Sequence, residues 1–120
     1  MRVAFLTHNF PRFPGDAAGS FLLRLALALR ADGVDVRVLA PAAPGWPADD
    51  VVDGVPVARF RYAPAGLETI AYTGTMASAV RGSWGARAAL GCLLAAGAAA
   101  TRRAVRAWGA DVVHAHWWFP

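Results

Sequence analysis

The fold is decided by residues 2–40, which open with Arg2-Val-Ala-Phe-Leu-Thr7 and close with Val34-Asp-Val-Arg-Val-Leu-Ala40. The first run is apolar without alternation, which is typical of a strand covered on both faces. Between the two runs, residues 20–31 carry apolar side chains at helical spacing, and Gly33 just past them is a helix stop signal. A strand, a helix and a strand within about 40 residues predict a right-handed βαβ crossover.

The remainder of the chain predicts two more strands. Residues 55–62 favour a third strand, entered through a turn at Asp53-Gly54, and Pro56 indicates that this strand lies at an edge of the sheet. Helices are expected over residues 66–80 and 86–108, and a fourth strand over residues 111–115. The expected fold is therefore α/β, a Rossmann-like parallel sheet with flanking helices.

Composition is typical of one globular domain. Hydrophobic residues make up 57% and charged residues 17% of the 120 residues, which excludes a disordered chain. The twelve basic residues are all arginine and, apart from Arg102, Arg103 and Arg106, they are spread along the chain. The net charge of +4 therefore does not form a stripe for nucleic acid, but it favours anionic ligands or peripheral contact with an anionic membrane surface.

The apolar stretch from Ala88 to Ala100 is too short for a membrane span, which needs roughly 20 residues. We expect it to be a buried helix, and Cys92 within it to be a small buried side chain. As the single cysteine, Cys92 forms no intrachain disulfide, and no signal peptide precedes the first strand. Both observations favour a reducing, cytoplasmic location.

The loop after the first strand is one candidate site. Pro11, Pro14, Gly15 and Gly19 punctuate it, and Ser20 is expected to cap the helix that follows. Nucleotide-binding α/β folds place backbone N–H groups and a helix N-terminus against phosphate at this point. The loop matches neither G-x-G-x-x-G nor a Walker sequence, so an anion- or sugar-binding role and an ordinary connecting loop both remain open.

The other candidate site is at the end of the chain. Val112 and Val113 indicate a short buried strand, which delivers His114 and His116 to its carboxyl end on one side. Open α/β sheets bind ligands at the carboxyl ends of strands, so His116 is expected nearest the mouth of a cleft, where imidazole can exchange a proton near neutral pH. The alternatives are two structural histidines and a metal pair, which lacks a third ligand nearby.

Other polar and aromatic residues extend this site. His8 ends the first strand, so it faces the same crevice if the first and fourth strands are neighbours. Trp117, with the aromatics that follow it, either stacks on a sugar ring or packs beneath a further helix. Glu68 is the only glutamate, which leaves no paired-glutamate acid–base mechanism within the chain.

Five segments of the sequence occur in an informative order. They are R-V-A-F-L-T-H-N-F-P, the glycine-containing loop, S-F-L-L-R-L-A-L-A-L, A-D-G-V-D-V-R-V-L-A-P and D-V-V-H-A-H-W-W-F-P. In this order they resemble the N-terminal domain of family 4 glycosyltransferases of the GT-B fold. The resemblance covers the chain in outline, and its specific parts are residues 2–41 and 111–120.

The resemblance implies a retaining, hexosyltransferase-type enzyme that uses a nucleotide-sugar donor, no other cofactor and no metal. The acceptor would be a glycan, a lipid or a small molecule. In that family two Rossmann-like domains face each other across a cleft, and the C-terminal domain holds the donor. We therefore expect residues 1–120 to be an incomplete, acceptor-side domain that is inactive alone.

The resemblance also implies roles for single residues. His116 would line the reaction centre near the transferred sugar as the catalytic residue, with His114 as its supporting neighbour. The loop from Gly15 to Gly19 would approach the donor phosphates and the acceptor, although many members have adjacent glycines there and this chain has three residues between them. His8 and Trp117 complete the set of expected substrate-binding residues.

Two other interpretations remain open from the sequence. One is a Rossmann-like module that binds a nucleotide or sugar without chemistry. The other is a non-functional fragment, because a four-stranded core with an uncovered fourth strand would expose apolar surface and aggregate.

Overall fold

A computed structural model describes residues 1–8, 10–11, 15–17, 19–42, 47–62 and 84–116. The strands are β1 (Arg2–Thr7), β2 (Asp35–Pro41), β3 (Asp49–Val52), β4 (Val55–Phe60) and β5 (Val112–His116), and the helices are α1 (Ser20–Ala31) and α2 (Trp84–Arg103). The strands form one sheet in the order β3-β4-β2-β1-β5. All neighbouring strands are parallel except β3, which is antiparallel to β4. The expected Rossmann-like α/β architecture is confirmed.

Helix α1 covers one face of the sheet. Its buried residues Leu22, Leu23 and Ala26 belong to the same core cluster as Val3 and Phe5 of β1. Residues of β2 and β4 complete this cluster: Val36, Val38, Ala40, Val55 and Val57. Gly33, in the left-handed region at φ +86°, ends α1 and turns the chain into β2, as the sequence predicts. The βαβ crossover of residues 2–40 is thereby confirmed, with β2 shifted by one residue.

Helix α2 covers the opposite face. Leu93, Ala100 and the following Ala104 pack with Ala4 of β1 and Leu39 of β2. Because β1 lies beneath helices on both faces, three consecutive residues, Val3 to Phe5, are buried. This explains the continuous apolar run in the sequence of β1.

A tight turn leads from α2 into β5. The last turn of the helical segment, Ala104–Trp108, is a π-helix, and Gly109 follows it at φ +79°. Arg2 donates from Nη1 to the Trp108 carbonyl at 2.8 Å and from its backbone N–H to Asp111 at 2.8 Å. A Cβ at position 109 would lie 3.1 Å from the same Arg2 Nη1, so both the backbone angle and this close approach favour glycine.

The described sheet has five strands, one more than the four that the sequence predicts. The predicted turn at Asp53-Gly54 is confirmed by positive φ at both residues, but it joins β4 to an additional strand, β3. The edge position predicted for β4 from Pro56 is therefore wrong. Proline has no backbone N–H, yet Pro56 is tolerated between two strands for two reasons. The pairing of β4 with β2 begins only at Val57, so β2 needs no hydrogen bond from position 56. On the other side, Pro56 faces Val51 of β3 in a pair of the antiparallel ladder that is not joined by hydrogen bonds.

Three further expectations about burial and capping are wrong. Cys92 is exposed, since α2 buries only one stripe on the sheet and the Ala-rich sequence does not mark its outer face. Val112 is also exposed, because β5 is the edge strand of the described sheet. Gly19, in the left-handed region, precedes α1, and Ser20 is the first helical residue. The helix expected over residues 66–80 lies outside the described residues.

One helix in the described part of the chain, Arg87–Trp108, is long and apolar enough to cross a membrane, with 17% of its most apolar window buried. It packs on the sheet through Leu93 and Ala100. Length and composition alone are weak evidence for a span, because the core helices of globular proteins share them. The expectation that its apolar stretch is buried throughout is nevertheless wrong.

Replacing Phe5 with alanine is expected to lower the free energy of unfolding by about 3–5 kcal/mol, because it removes a ring with no exposed surface from a core that relaxes only in part. Phe21→Ala is the matched control. Phe21 is 51% exposed on α1, and its loss is expected to cost less than about 1 kcal/mol. Urea denaturation of both variants measures the difference, and equal losses would contradict this packing.

Candidate functional site

The carboxyl ends of the parallel strands meet at one edge of the sheet. Thr7, the last residue of β1, pairs with His116, the last residue of β5. The first and last strands are therefore neighbours, which is the condition on which the sequence places His8 beside the histidine pair. His8 follows Thr7 directly, so it lies at this same edge, where it is buried. This is the edge at which open α/β sheets bind ligands.

His114 and His116 form a compact pair on one side of β5. Their ring centroids are 3.8 Å apart, as their spacing of two residues along a strand allows. Phe5 of β1 contacts both rings, with its centroid 4.6 Å from that of His116 and 5.7 Å from that of His114. The pair therefore lies on the α1 side of the sheet, at the border of the hydrophobic core.

The two histidines differ in their surroundings. His114 is exposed, whereas His116 is partly buried. The Nε2 atom of His116 is buried and has no hydrogen-bond partner among the described residues. Burial lowers the pKa of His116 below its usual value of 6.5, and the nearby His114 lowers it further. At neutral pH His116 is thus an uncharged imidazole whose buried Nε2 atom has no hydrogen-bond partner among the described residues.

The first loop is anchored over the same face of the sheet. Phe10 and Pro11 are both buried, and Phe10 belongs to the core cluster beneath α1. Arg59 of β4 donates from Nη2 to the Pro11 carbonyl at 2.7 Å. Arg59 is only 2% exposed, so its guanidinium forms this bond in a site from which water is excluded. The bond fixes the start of the loop at the carboxyl edge.

The two glycines of the loop have left-handed backbones. Gly15 has φ +91° and Gly19 has φ +70°, conformations that side chains disfavour. Gly19 accepts hydrogen bonds from the N–H groups of Leu22 and Leu23 and so starts α1 at the carboxyl edge of β1. A helix N-terminus at this position is suited to an anion, but whether either glycine contacts a ligand stays a prediction. Trp117 lies outside the described residues.

Arg59 is the residue that inspection of the sequence missed. It has a sequence signal, because Val55, Val57 and Arg59 alternate along β4 and the two valines are core positions. A strand with that alternation turns its arginine toward the core. A buried arginine requires polar partners, so this pattern indicates a structural or ligand-binding role.

Two observations limit the chemistry of the described residues. They contain no group of three or more His, Cys, Asp or Glu side chains that could hold a metal ion. A cavity of about 1070 Å³ lies on the α2 side, between Leu39, Ala58 and Ala104. Its lining does not include the histidine pair. The candidate site is therefore defined by the strand ends and the first loop.

Arg59→Met is expected to release the first loop. The substitution keeps an apolar stem but removes the donor to Pro11, a charge-assisted bond worth about 1.5–3 kcal/mol. Hydrogen exchange at the Phe10 and Gly15 amides should become roughly 10- to 100-fold faster through local opening. Arg24→Met, at an exposed position of α1, is the matched control and should leave this exchange unchanged. Equal protection in the Arg59 variant would show that the bond does not hold the loop.

The comparison with protein families agrees with this architecture. Residues 17–120 match a family model described as a glycosyl transferase 4-like domain. No curated protein matches the chain. Because the matched region covers most of the chain, the protein belongs to the glycosyl transferase 4-like family. Its substrates, in general terms, are a sugar donor and an acceptor.

Proposed function

We propose that this chain is the acceptor-side domain of a retaining, nucleotide-sugar-dependent glycosyltransferase of the hexosyltransferase type. The proposed acceptor is a glycan, a lipid or a small molecule. A separate GT-B domain would bind the donor, so residues 1–120 would not transfer sugar alone. Family membership supports the general reaction, and the geometry of the carboxyl edge supports the assignment of residues.

A single observation carries this proposal, namely the buried Nε2 atom of His116 at the carboxyl edge of β5, which has no hydrogen-bond partner among the described residues. A buried polar atom without a partner costs free energy, so such atoms in native proteins require an explanation. A substrate group that bonds to Nε2 would remove this cost. His8 and the first loop border the same edge, which supports their roles in binding the acceptor or the donor phosphates.

The proposed reaction forms one bond and breaks another at the anomeric carbon of the donor sugar. The acceptor hydroxyl oxygen bonds to this carbon, the bond from the carbon to the nucleoside diphosphate breaks, and the hydroxyl proton passes to the departing phosphate. His116 would orient a polar group at the reaction centre by a hydrogen bond, without changing its own charge. We propose no metal and no further cofactor, and the N-terminus of α1 would favour the phosphate charge.

His116→Ala is expected to lower sugar transfer by roughly 100-fold or more, as the loss of a positioned polar group does. The assay uses the product of the entire open reading frame and a panel of nucleotide sugars and acceptors. Arg24→Gln, exposed on α1, should retain full turnover. Unchanged turnover in His116→Ala would remove this residue from the mechanism, and binding of a nucleotide sugar without transfer would favour a non-catalytic module.

We further propose a cytoplasmic location with peripheral contact to an anionic membrane. The supporting observation is the outer face of α2, which is exposed and ends in Arg102 and Arg103, with Arg106 in the turn beyond. The sequence from Trp84 to Trp108 contains no acidic residue. Basic residues beside an exposed apolar helix face are complementary to anionic lipid headgroups.

Substituting glutamine at Arg102, Arg103 and Arg106 together is expected to weaken binding to anionic vesicles roughly 100-fold, at about 1 kcal/mol for each arginine. Co-sedimentation with anionic and with neutral vesicles measures this. The double variant Arg24→Gln/Arg30→Gln removes charge from α1 on the other face and should bind as the unsubstituted chain does. Binding that is absent, or equal for both kinds of vesicle, would contradict the membrane proposal.

A further inference from the structure

We propose that His114 is a positioning residue for His116, one that fixes the orientation of the His116 ring and disfavours a second positive charge beside it. The functional meaning of this inference rests on the proposed place of His116 at the reaction centre. The physical claim concerns only the two rings and Phe5. It can therefore be tested without any substrate.

The positions of three rings support the first part of the proposal, that His114 fixes the orientation of the His116 ring. The His116 ring contacts both Phe5, at 4.6 Å and 59°, and His114, at 3.8 Å and 48°. Phe5 also meets His114 edge-on, at 5.7 Å and 87°. Phe5 is fully buried in the core beneath α1, so it cannot move aside without a cost in packing. His114 is the exposed member of this three-ring cluster and contacts the other two rings.

The charges on the two rings support the second part of the proposal, that His114 disfavours a positive charge on His116. Two imidazolium rings at this separation repel each other, so the pair takes up one proton far more easily than two. His116 is the partly buried ring of the pair, so a positive charge on it is less well solvated by water. Burial and His114, in that order, account for the lowered pKa of His116.

The other ionisable groups in the described part of the chain do not replace His114 in this role. β1 presents Thr7 as the direct partner of His116, and His8 comes one residue later. Arg59, on the same face, lies three strands away, about 14 Å at the usual strand spacing. α1 carries only Arg24 and Arg30 as basic residues, both exposed. Among the described residues, His114 is thus the ionisable side chain whose ring contacts His116.

This arrangement gives His114 a defined effect on the site. A neutral His116 has one ring nitrogen that donates a hydrogen bond and one that accepts, whereas a charged His116 only donates. A charged ring would also attract the diphosphate rather than orient an uncharged group. By opposing that charge, His114 preserves a neutral and orientable His116 in mildly acidic solution.

The test is an NMR pH titration of the three histidine Cε1–H signals in the chain and in His114→Gln, which removes the second titrating ring. In the unsubstituted chain the His116 midpoint should lie below 6.5. In His114→Gln it should rise part of the way back, because burial, the larger cause, remains. The cross-relaxation between the Phe5 ring and His116 should also weaken. Arg24→Gln, which removes a distant charge, should change neither signal.

An unchanged His116 midpoint in His114→Gln would overturn the proposal, since a purely structural His114 would not move it. His114→Asn provides the same measurement if the glutamine variant does not fold. In the transfer assay, the acidic limb of the pH profile should move to higher pH in His114→Gln, because His116 then becomes charged sooner. A moved midpoint without any sugar transfer would leave the histidine pair intact and reject the proposed function alone.

Discussion

The contact between Phe5 and the two histidine rings joins the hydrophobic core to the candidate site. Phe5 lies on β1, which pairs with β2 on one side and with β5 on the other. Its ring packs with the residues of α1 beneath the sheet face and, at the same time, contacts His114 and His116. The orientation of the imidazoles therefore depends on core packing, and a loosened core would disorder the site before it unfolded the chain.

The polar groups of the site lie where the apolar strands end. His116 and Thr7 form the last pair between β5 and β1, and Arg59 occupies the penultimate position of β4. Arg59 bonds to the first loop, whereas the buried Nε2 atom of His116 has no hydrogen-bond partner among the described residues. One polar group thus places a loop, and we propose the other as the group that bonds to a ligand. A loop held in place beside an unpaired polar atom is typical of binding sites on rigid sheets.

The sequence predicts the parts of the fold that have strong periodicity. The βαβ crossover follows from apolar runs, Gly33 and the rules for parallel sheets, whereas the pairing of the first and last strands does not. β3 escapes this reasoning because Asp49 and Asp50 make half of its four residues acidic, and a short edge strand needs little apolar surface. The exposed outer face of α2, with Cys92, escapes it because alanine is compatible with either environment.

The sequence predicts where in the fold the candidate site lies, but not the distances and burial of its side chains. The carboxyl-edge rule places His114 and His116 correctly, but their distance, the position of Phe5 and the difference in burial depend on tertiary packing. The bond from Arg59 to Pro11 joins residues 48 positions apart in sequence, and no local pattern specifies such a partner. The family match explains why the order of the segments is informative, while the roles of individual residues rest on this geometry.

The most direct test of this account is an NMR titration of the chain with nucleotide sugars and simple glycosides at millimolar concentration. The account predicts that the side-chain signals of His8, His114 and His116 shift together, with those of Phe5 following. The indole signal of Trp108, which lines the cavity on the α2 side, should remain in place. Shifts confined to Trp108 and its neighbours, or no shift at all, would contradict a sugar-binding site at the carboxyl edge of the sheet.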